Sequence, residues 1–274
     1  MSTSNKKAKV TESPSNYDNL ENMSTTDLLN GLNKEDATVH KAVKKVLPKI
    51  KNLIDEIVVR MKQGGRIFYL GAGTSGRLGV LDASELPPTF GIPDNIVIGL
   101  IAGGDTALKK AVEAAEDDYS MAWKELSSYK ICPLDTVVGI AASGSTPYVI
   151  GGIIEARKNG ILTACITCNP DSEVAKEAEI AIEAIVGPEF ITGSTRLKAG
   201  TAQKMILNMI TTTIMIKLGQ IKGNKMVHMQ LTNKKLIERG IKMIMDETNL
   251  NYAKSKEMLL KHGSVIKVLQ TLHK

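Results

Sequence analysis

The spacing of apolar positions changes along this chain, and the changes divide it into parts. From 35 to 63, Val39, Val43, Val46, Leu47, Ile50, Leu53, Ile54 and Ile57 recur at helical intervals. The pattern predicts a long amphipathic helix, bent or broken at Pro48 and ended by Gly64-Gly65. Ahead of it, Ser24-Thr-Thr-Asp27 reads as a helix start, and the polar residues 1–22 are expected to be flexible. Short unbroken apolar runs then take over, at 66–70, 96–102, 137–141, 162–167 and 181–186. Continuous Ile/Val/Leu character without alternation is expected of parallel strands covered on both faces. Helical segments at 76–84, 106–117, 148–158 and 172–178 fall between these runs. That order predicts an α/β fold: a three-layer α/β/α sandwich with a mainly parallel five-stranded sheet and right-handed crossovers. Helices at 196–218, 225–246 and 251–271 follow. The expected organisation is a flexible segment 1–22, N-terminal helices 23–63, a core 64–220 and a C-terminal helical appendage 221–274.

Composition narrows the partners. The formal charge is +6, from 35 basic and 29 acidic residues, with many lysines between Lys217 and Lys274. Aromatics are only 4%, and no basic–aromatic interleaving or zinc-finger spacing occurs, so no nucleic-acid partner is expected. An anionic substrate and a solvated lysine-rich face account for the charge. No apolar run approaches the roughly 20 residues that span a bilayer. The first residues, Met1-Ser-Thr-Ser-Asn-Lys-Lys, have no apolar h-region, so no membrane partner and a cytoplasmic location are expected. Cys165-Ile-Thr-Cys168 has C-x-x-C spacing but alternates within an expected strand, which reads as packed reduced thiols and no metal site.

Two loops carry candidate chemistry. Gly71-Ala-Gly-Thr-Ser-Gly-Arg77 follows the first apolar run, and Ala142-Ser-Gly-Ser-Thr-Pro147 follows the third. Glycines let the backbone approach an anion, helix N-termini offer unpaired N–H groups, and hydroxyls add donors. Thr74, Ser75, Ser143, Ser145 and Thr146 are therefore candidates for phosphate binding, with Arg77 as a possible salt-bridge donor. Ordinary capped turns are the bland alternative. A dinucleotide site is the sharper one, since the glycines fit G-x-G-x-x-G. That reading needs a carboxylate at the end of the second strand, where Leu100-Ile-Ala-Gly-Gly104 has none. Asp105 comes late and reads as a helix cap. In Thr192-Gly-Ser-Thr-Arg-Leu-Lys-Ala-Gly200, Ser194 and Thr195 are expected to cap a long helix and to contact ligand, with Arg196 and Lys198 adding positive charge near the pocket; a solvated basic face is the alternative for the lysine.

Carboxylates beside an anion pocket need a reason to be there. Glu85, in Leu81-Asp-Ala-Ser-Glu-Leu-Pro-Pro88, is expected at the close of a short helix stopped by Pro-Pro. Glu116, in Ala111-Val-Glu-Ala-Ala-Glu-Asp-Asp118, is expected near the negative end of the helix 106–117. Two such groups can serve as base and acid. Solvated surface glutamates are the alternative for both.

Residues 69–91 closely resemble the bacterial N-acetylmuramic acid 6-phosphate etherases, as do Gly99-Leu-Ile-Ala-Gly-Gly104, Ala111 to Asp118, Val138 to Tyr148 and Gly193 to Lys204. The resemblance runs from about 20 to 240. It implies a sugar-isomerase (SIS) phosphosugar-binding core over 64–220 and a homodimer. It also implies cleavage of the D-lactyl ether of N-acetylmuramic acid 6-phosphate, giving N-acetylglucosamine 6-phosphate and D-lactate. The implied catalytic pair is Glu85 and Glu116. Substrate contacts would map to Thr74, Ser75, Ser143, Ser145, Thr146 and Ser194, with no cofactor and no metal. A phosphosugar-binding regulatory protein and an amino-sugar phosphate isomerase are the alternatives. The chain departs from the family's pattern in reading Ser143-Gly-Ser-Thr-Pro147 where Ser-Gly-Arg-Thr-Pro is common, and in the segment Thr11-Glu-Ser-Pro-Ser-Asn16, which lacks an arginine. Its helical tail is also shorter than is common. A helix over 106–117 would carry Glu116 away from the sheet's carboxyl edge. Glu116 then reaches substrate only if that helix is short and displaced or if the pocket is shared across the dimer, and the shared pocket is the expectation.

Overall fold

The computed structural model describes residues 9–272. The flexibility expected of 1–8 falls outside the described residues, whereas 9–22 is docked on the core, with Thr11 fully buried. Helix α1 runs unbroken over Thr25–Met61, so the two N-terminal helical stretches are one. Ser24 caps it, its Oγ accepting from Asp27 N at 3.2 Å. The expected break at Pro48 does not occur. Pro48 and Lys44 are both exposed, so the carbonyl deprived of its N–H partner reaches water.

The chain then alternates: β1 Ile67–Gly71, α2 Gly73–Phe90, β2 Val97–Ile101, α3 Gly104–Lys109, α4 Met121–Ser128, β3 Thr136–Ile140, α5 Pro147–Lys158, β4 Leu162–Thr167, α6 Glu173–Glu177, β5 Ile180–Glu183 and α7 Lys198–Lys217. The strands form one sheet in the order β2-β1-β3-β4-β5. Every neighbouring pair is parallel. Side chains of a strand point alternately to its two faces. Ile67 and Tyr69 of β1 therefore join the cluster shared with α1, α2 and α7, while Phe68 and Leu70 join the cluster shared with α4 and α5. Burial on both faces is why these strands read as unbroken apolar runs.

Several helix limits differ from expectation. Helix α2 continues through Pro87 and Pro88, because proline's fixed φ suits a helix and only bonds of the last turn are forgone. It stops at left-handed Gly91, whose N–H donates to Pro87 O at 2.9 Å. The helix expected over 106–117 ends at Lys109, and a separate 3-10 turn spans Glu113–Asp117. Asp105 does not cap α3; Gly103 holds that position. Helix α4 was not expected at all. At the C-terminus, α8 Lys234–Thr248, α9 Tyr252–His262 and α10 Val265–Leu272 enclose their own apolar cluster around Ile241, Ile244, Leu259 and Val268. Asn233 sets the start of α8 by accepting from Leu236 N at 2.9 Å.

Candidate functional site

In a sheet of this order the chain leaves β1 toward one edge and β3 toward the other. The crevice at their carboxyl ends is where open α/β sheets bind ligands. Gly71 pairs with Ile140 across that junction, so the two glycine-hydroxyl loops are neighbours. Close packing explains the glycines of the first loop. A Cβ on Gly71 would lie 2.6 Å from Gly76 N, and one on Gly76 would lie 2.7 Å from Gly71 O. The strand end and helix start thus touch through bare backbone, with no nucleotide needed to account for the spacing.

The loop's side chains have specific partners. Thr74 and Ser75 sit in the first turn of α2. Ser75 is buried, and its Oγ donates to Gln203 Oε1 of α7 at 3.0 Å. The Gln203 Nε2 is enclosed with no hydrogen-bond partner among the described residues. Thr74 is half-buried, with its methyl toward Gly200 of α7. Arg77 is half-buried, its Nε donating to Leu108 O at 3.2 Å.

In the second loop, Ser143 Oγ accepts from Ser145 N at 3.3 Å and from Ser145 Oγ at 3.1 Å. Thr146 occupies the N-cap of α5 without using its side chain as a cap, and Pro147 follows at the helix start. The loop therefore presents half-buried hydroxyls at a helix N-terminus, where the partial positive charge favours an anion.

An N-terminal strap lies against both this loop and the one before α7. Thr11 N donates to Asn169 Oδ1 at 3.1 Å. Asn169 Nδ2 donates back to Thr11 Oγ1 at 2.8 Å and also to Ala142 O at 3.0 Å. Ser15 N donates to Thr192 Oγ1 at 2.9 Å, and the Tyr17 ring packs on Phe190 with centroids 4.6 Å apart. Two residues before Thr11, Lys9 Nζ donates to Ser145 Oγ at 2.5 Å.

Ser194 and Thr195 do not cap α7, which begins later than expected, at Lys198. Ser194 lies half-buried in the preceding turn, its N–H donating to Ile191 O at 2.9 Å. The cap is Glu189, whose carboxylate accepts from Lys198 N and Ala199 N at 2.9 Å each. Burial raises the Glu189 carboxyl above its ordinary range against the pull of those backbone bonds. Lys198 is not on a solvated face; it is buried and paired with Glu35 of α1. Sequence reasoning missed Glu189, Gln203 and Lys9. The acid placed nine residues before a helix start was the only local signal of the cap.

The two catalytic candidates occupy different levels of the molecule. Glu85 is exposed and lines a cleft of about 200 Å³ between α2 and α7, with Leu78, Leu81, Asp82, Lys204, Leu207 and Asn208. Behind it, buried Asp82 accepts from Asn208 Nδ2 at 2.9 Å, Thr211 Oγ1 at 3.2 Å and Tyr69 OH at 3.3 Å. Burial nevertheless raises the Asp82 carboxyl above its ordinary range. Glu85 follows Gly73 by twelve residues along α2, about 18 Å at the helical rise. Glu116 is exposed in the 3-10 turn. That turn packs on α5, and just beyond it Tyr119 O comes so close to α5 that a Cβ on Gly151 would lie 1.9 Å away. The short α3 thus removes the long helix expected to carry Glu116 away, and Glu85 is the carboxylate carried down a helix from the first glycine-hydroxyl loop.

Among the described residues no group of three or more His, Cys, Asp or Glu is placed to hold a metal. Burial pushes the Cys165 and Cys168 thiols up to about 12, so both stay protonated near neutrality. No helix among the described residues is long and apolar enough to cross a membrane.

Comparison with known proteins agrees with this architecture. Residues 49–157 match the glucokinase regulatory protein N-terminal SIS domain, and residues 120–213 match the SIS domain. A phosphoheptose isomerase from Francisella tularensis superposes with a TM-score of 0.57 at 17% identity, covering 70% of this chain and 98% of that one. The N-acetylmuramic acid 6-phosphate etherase of Christiangramia forsetii is 62% identical over 265 residues, covering 97% of each chain. The etherase of Bacteroides fragilis is 62% identical over 95% of this chain and 93% of its own. A Yersinia pestis etherase is 52% identical over 88% of this chain but only 81% of its own.

Proposed function

The chain belongs to the N-acetylmuramic acid 6-phosphate etherase family, and from that membership we infer that it is a carbon–oxygen lyase acting on N-acetylmuramic acid 6-phosphate. It cleaves the D-lactyl ether by elimination and then hydration, giving N-acetylglucosamine 6-phosphate and D-lactate. The observation that carries this reading is 62% identity along 97% of both chains.

The residues divide the work as follows. Ser143, Ser145 and Thr146 at the N-terminus of α5 receive the phosphate, with Thr74 and Ser194 beside it. Ser75 acts through Gln203, holding α2 against α7. Opening of the sugar ring exposes the C1 aldehyde, which acidifies the C2 proton. Glu116 removes that proton as the C3–O bond breaks, and Glu85 protonates the departing lactate oxygen. Water then adds across C2=C3, its oxygen to C3 and a proton to C2. The substrate's own carbonyl stabilises the developing charge, so no cofactor enters the scheme.

One sugar ring is shorter than the roughly 18 Å of helix between the α2 N-terminus and Glu85. This supports a homodimer in which one protomer supplies the phosphate loops and Glu116 while its partner supplies Glu85. Residues 64–220 form the phosphosugar-binding core of each protomer. Reduced, buried Cys165 and Cys168 fit a reducing compartment, and we assign the protein to the cytoplasm.

The test is incubation of purified protein with N-acetylmuramic acid 6-phosphate in heavy-oxygen water. D-lactate should appear unlabelled, and the sugar product should carry solvent oxygen at C3. Labelled lactate, or no lactate at all, would overturn the reading.

A further inference from the structure

We propose that Lys9 is a phosphate-binding residue, carried into the site by the N-terminal strap; this deepens the etherase reading and rests on it. The Lys9 ammonium donates to Ser145 Oγ at 2.5 Å, at the mouth of α5. Ser145 in turn shares its hydroxyl and its N–H with Ser143 Oγ. The lysine therefore completes a ring of donors around the place where the helix dipole already favours an anion. An ammonium held there adds a full positive charge, and a sugar phosphate is an anion able to accept its hydrogen bonds.

Two of the other positive groups near these loops are committed elsewhere. Arg77 donates to Leu108 O, and Lys198 is buried against Glu35. Lys9 is exposed, so its ammonium can turn from Ser145 to a bound phosphate without unfolding anything. Its position is not left to chance. Thr11 is fully buried and makes reciprocal bonds with Asn169, and Asn169 also holds the carbonyl of Ala142, directly ahead of Ser143. The clamp that fixes the strap thus fixes the phosphate loop as well, keeping the ammonium and the hydroxyls in register.

The test compares Lys9→Met and Lys9→Arg with wild type by calorimetry, using inorganic phosphate, N-acetylglucosamine 6-phosphate and unphosphorylated N-acetylglucosamine. Loss of one charge-assisted hydrogen bond should weaken both phosphorylated probes about tenfold in Lys9→Met. The unphosphorylated sugar should be unaffected, and Lys9→Arg should recover most of the affinity. In turnover, KM for the lactyl sugar phosphate should rise by a similar factor, with kcat within about twofold of wild type. Unchanged phosphate affinity in Lys9→Met would overturn the proposal. So would an equal loss for the unphosphorylated sugar, or a wild-type protein that binds no phosphate. A wild-type protein that binds phosphate through Lys9 but releases no lactate would leave this inference standing and sink the etherase reading instead.

Discussion

Asp82 is the side chain whose chemistry departs most from its surroundings near the candidate acid. It is one helical turn ahead of Glu85, buried, and held by Asn208, Thr211 and Tyr69. Because burial raises its pKa, the folded protein takes up this proton more readily than the unfolded chain. Its contribution to stability is complete below the unfolded value, near 4 for an aspartate, and is lost as pH rises through the raised folded value. Asp82→Asn keeps the shape and most of the hydrogen bonds but cannot titrate. Urea melts across this range should show the variant gaining on wild type as pH rises. Two stability curves that stay parallel would show that the carboxyl does not titrate differently on folding.

At the scale of elements, the decisive contact is between α5 and the chain after Glu116. An added methyl at Gly151 would meet Tyr119 O at 1.9 Å, a backbone atom that cannot swing aside. Gly151→Ala should therefore cost about 1–3 kcal/mol in urea unfolding. It should lower lactate release by more than stability accounts for, since the 3-10 turn bearing Glu116 must shift. A variant with normal stability and rate would show that this contact is loose. The same contact explains what sequence could not convey. Strands and glycine loops were legible because their signals are local: unbroken apolar runs, then small residues and hydroxyls. The end of α3 was not legible, because Lys110, Ala111 and Val112 carry no helix breaker, and packing of the following segment on α5 is a tertiary effect. The strap was misread for a like reason. Thr11 reads as a polar surface residue until Asn169, 158 positions along the chain, is brought to it just beyond the end of β4. Lys198 reads as solvated for want of Glu35, which α1 supplies.

The whole molecule raises the question of where one working site ends. Under the dimeric scheme, a chain with Glu85→Gln still offers Glu116 and the loops, and a chain with Glu116→Gln still offers Glu85. Each variant alone should be inactive, and the isolated heterodimer should recover one intact site, about half the wild-type rate. A verified heterodimer with no recovered lactate release would require both carboxylates from a single chain. The strap has a consequence of its own for biosynthesis. Thr11 and Asn169 are 158 positions apart, and Ser15 and Thr192 are 177 apart. The strap is translated long before its anchors and must wait, undocked, until they emerge near the end of the core. A nascent chain released early would carry the first glycine loop yet hold no ammonium beside the second, so truncated products should be inert bystanders rather than partial enzymes.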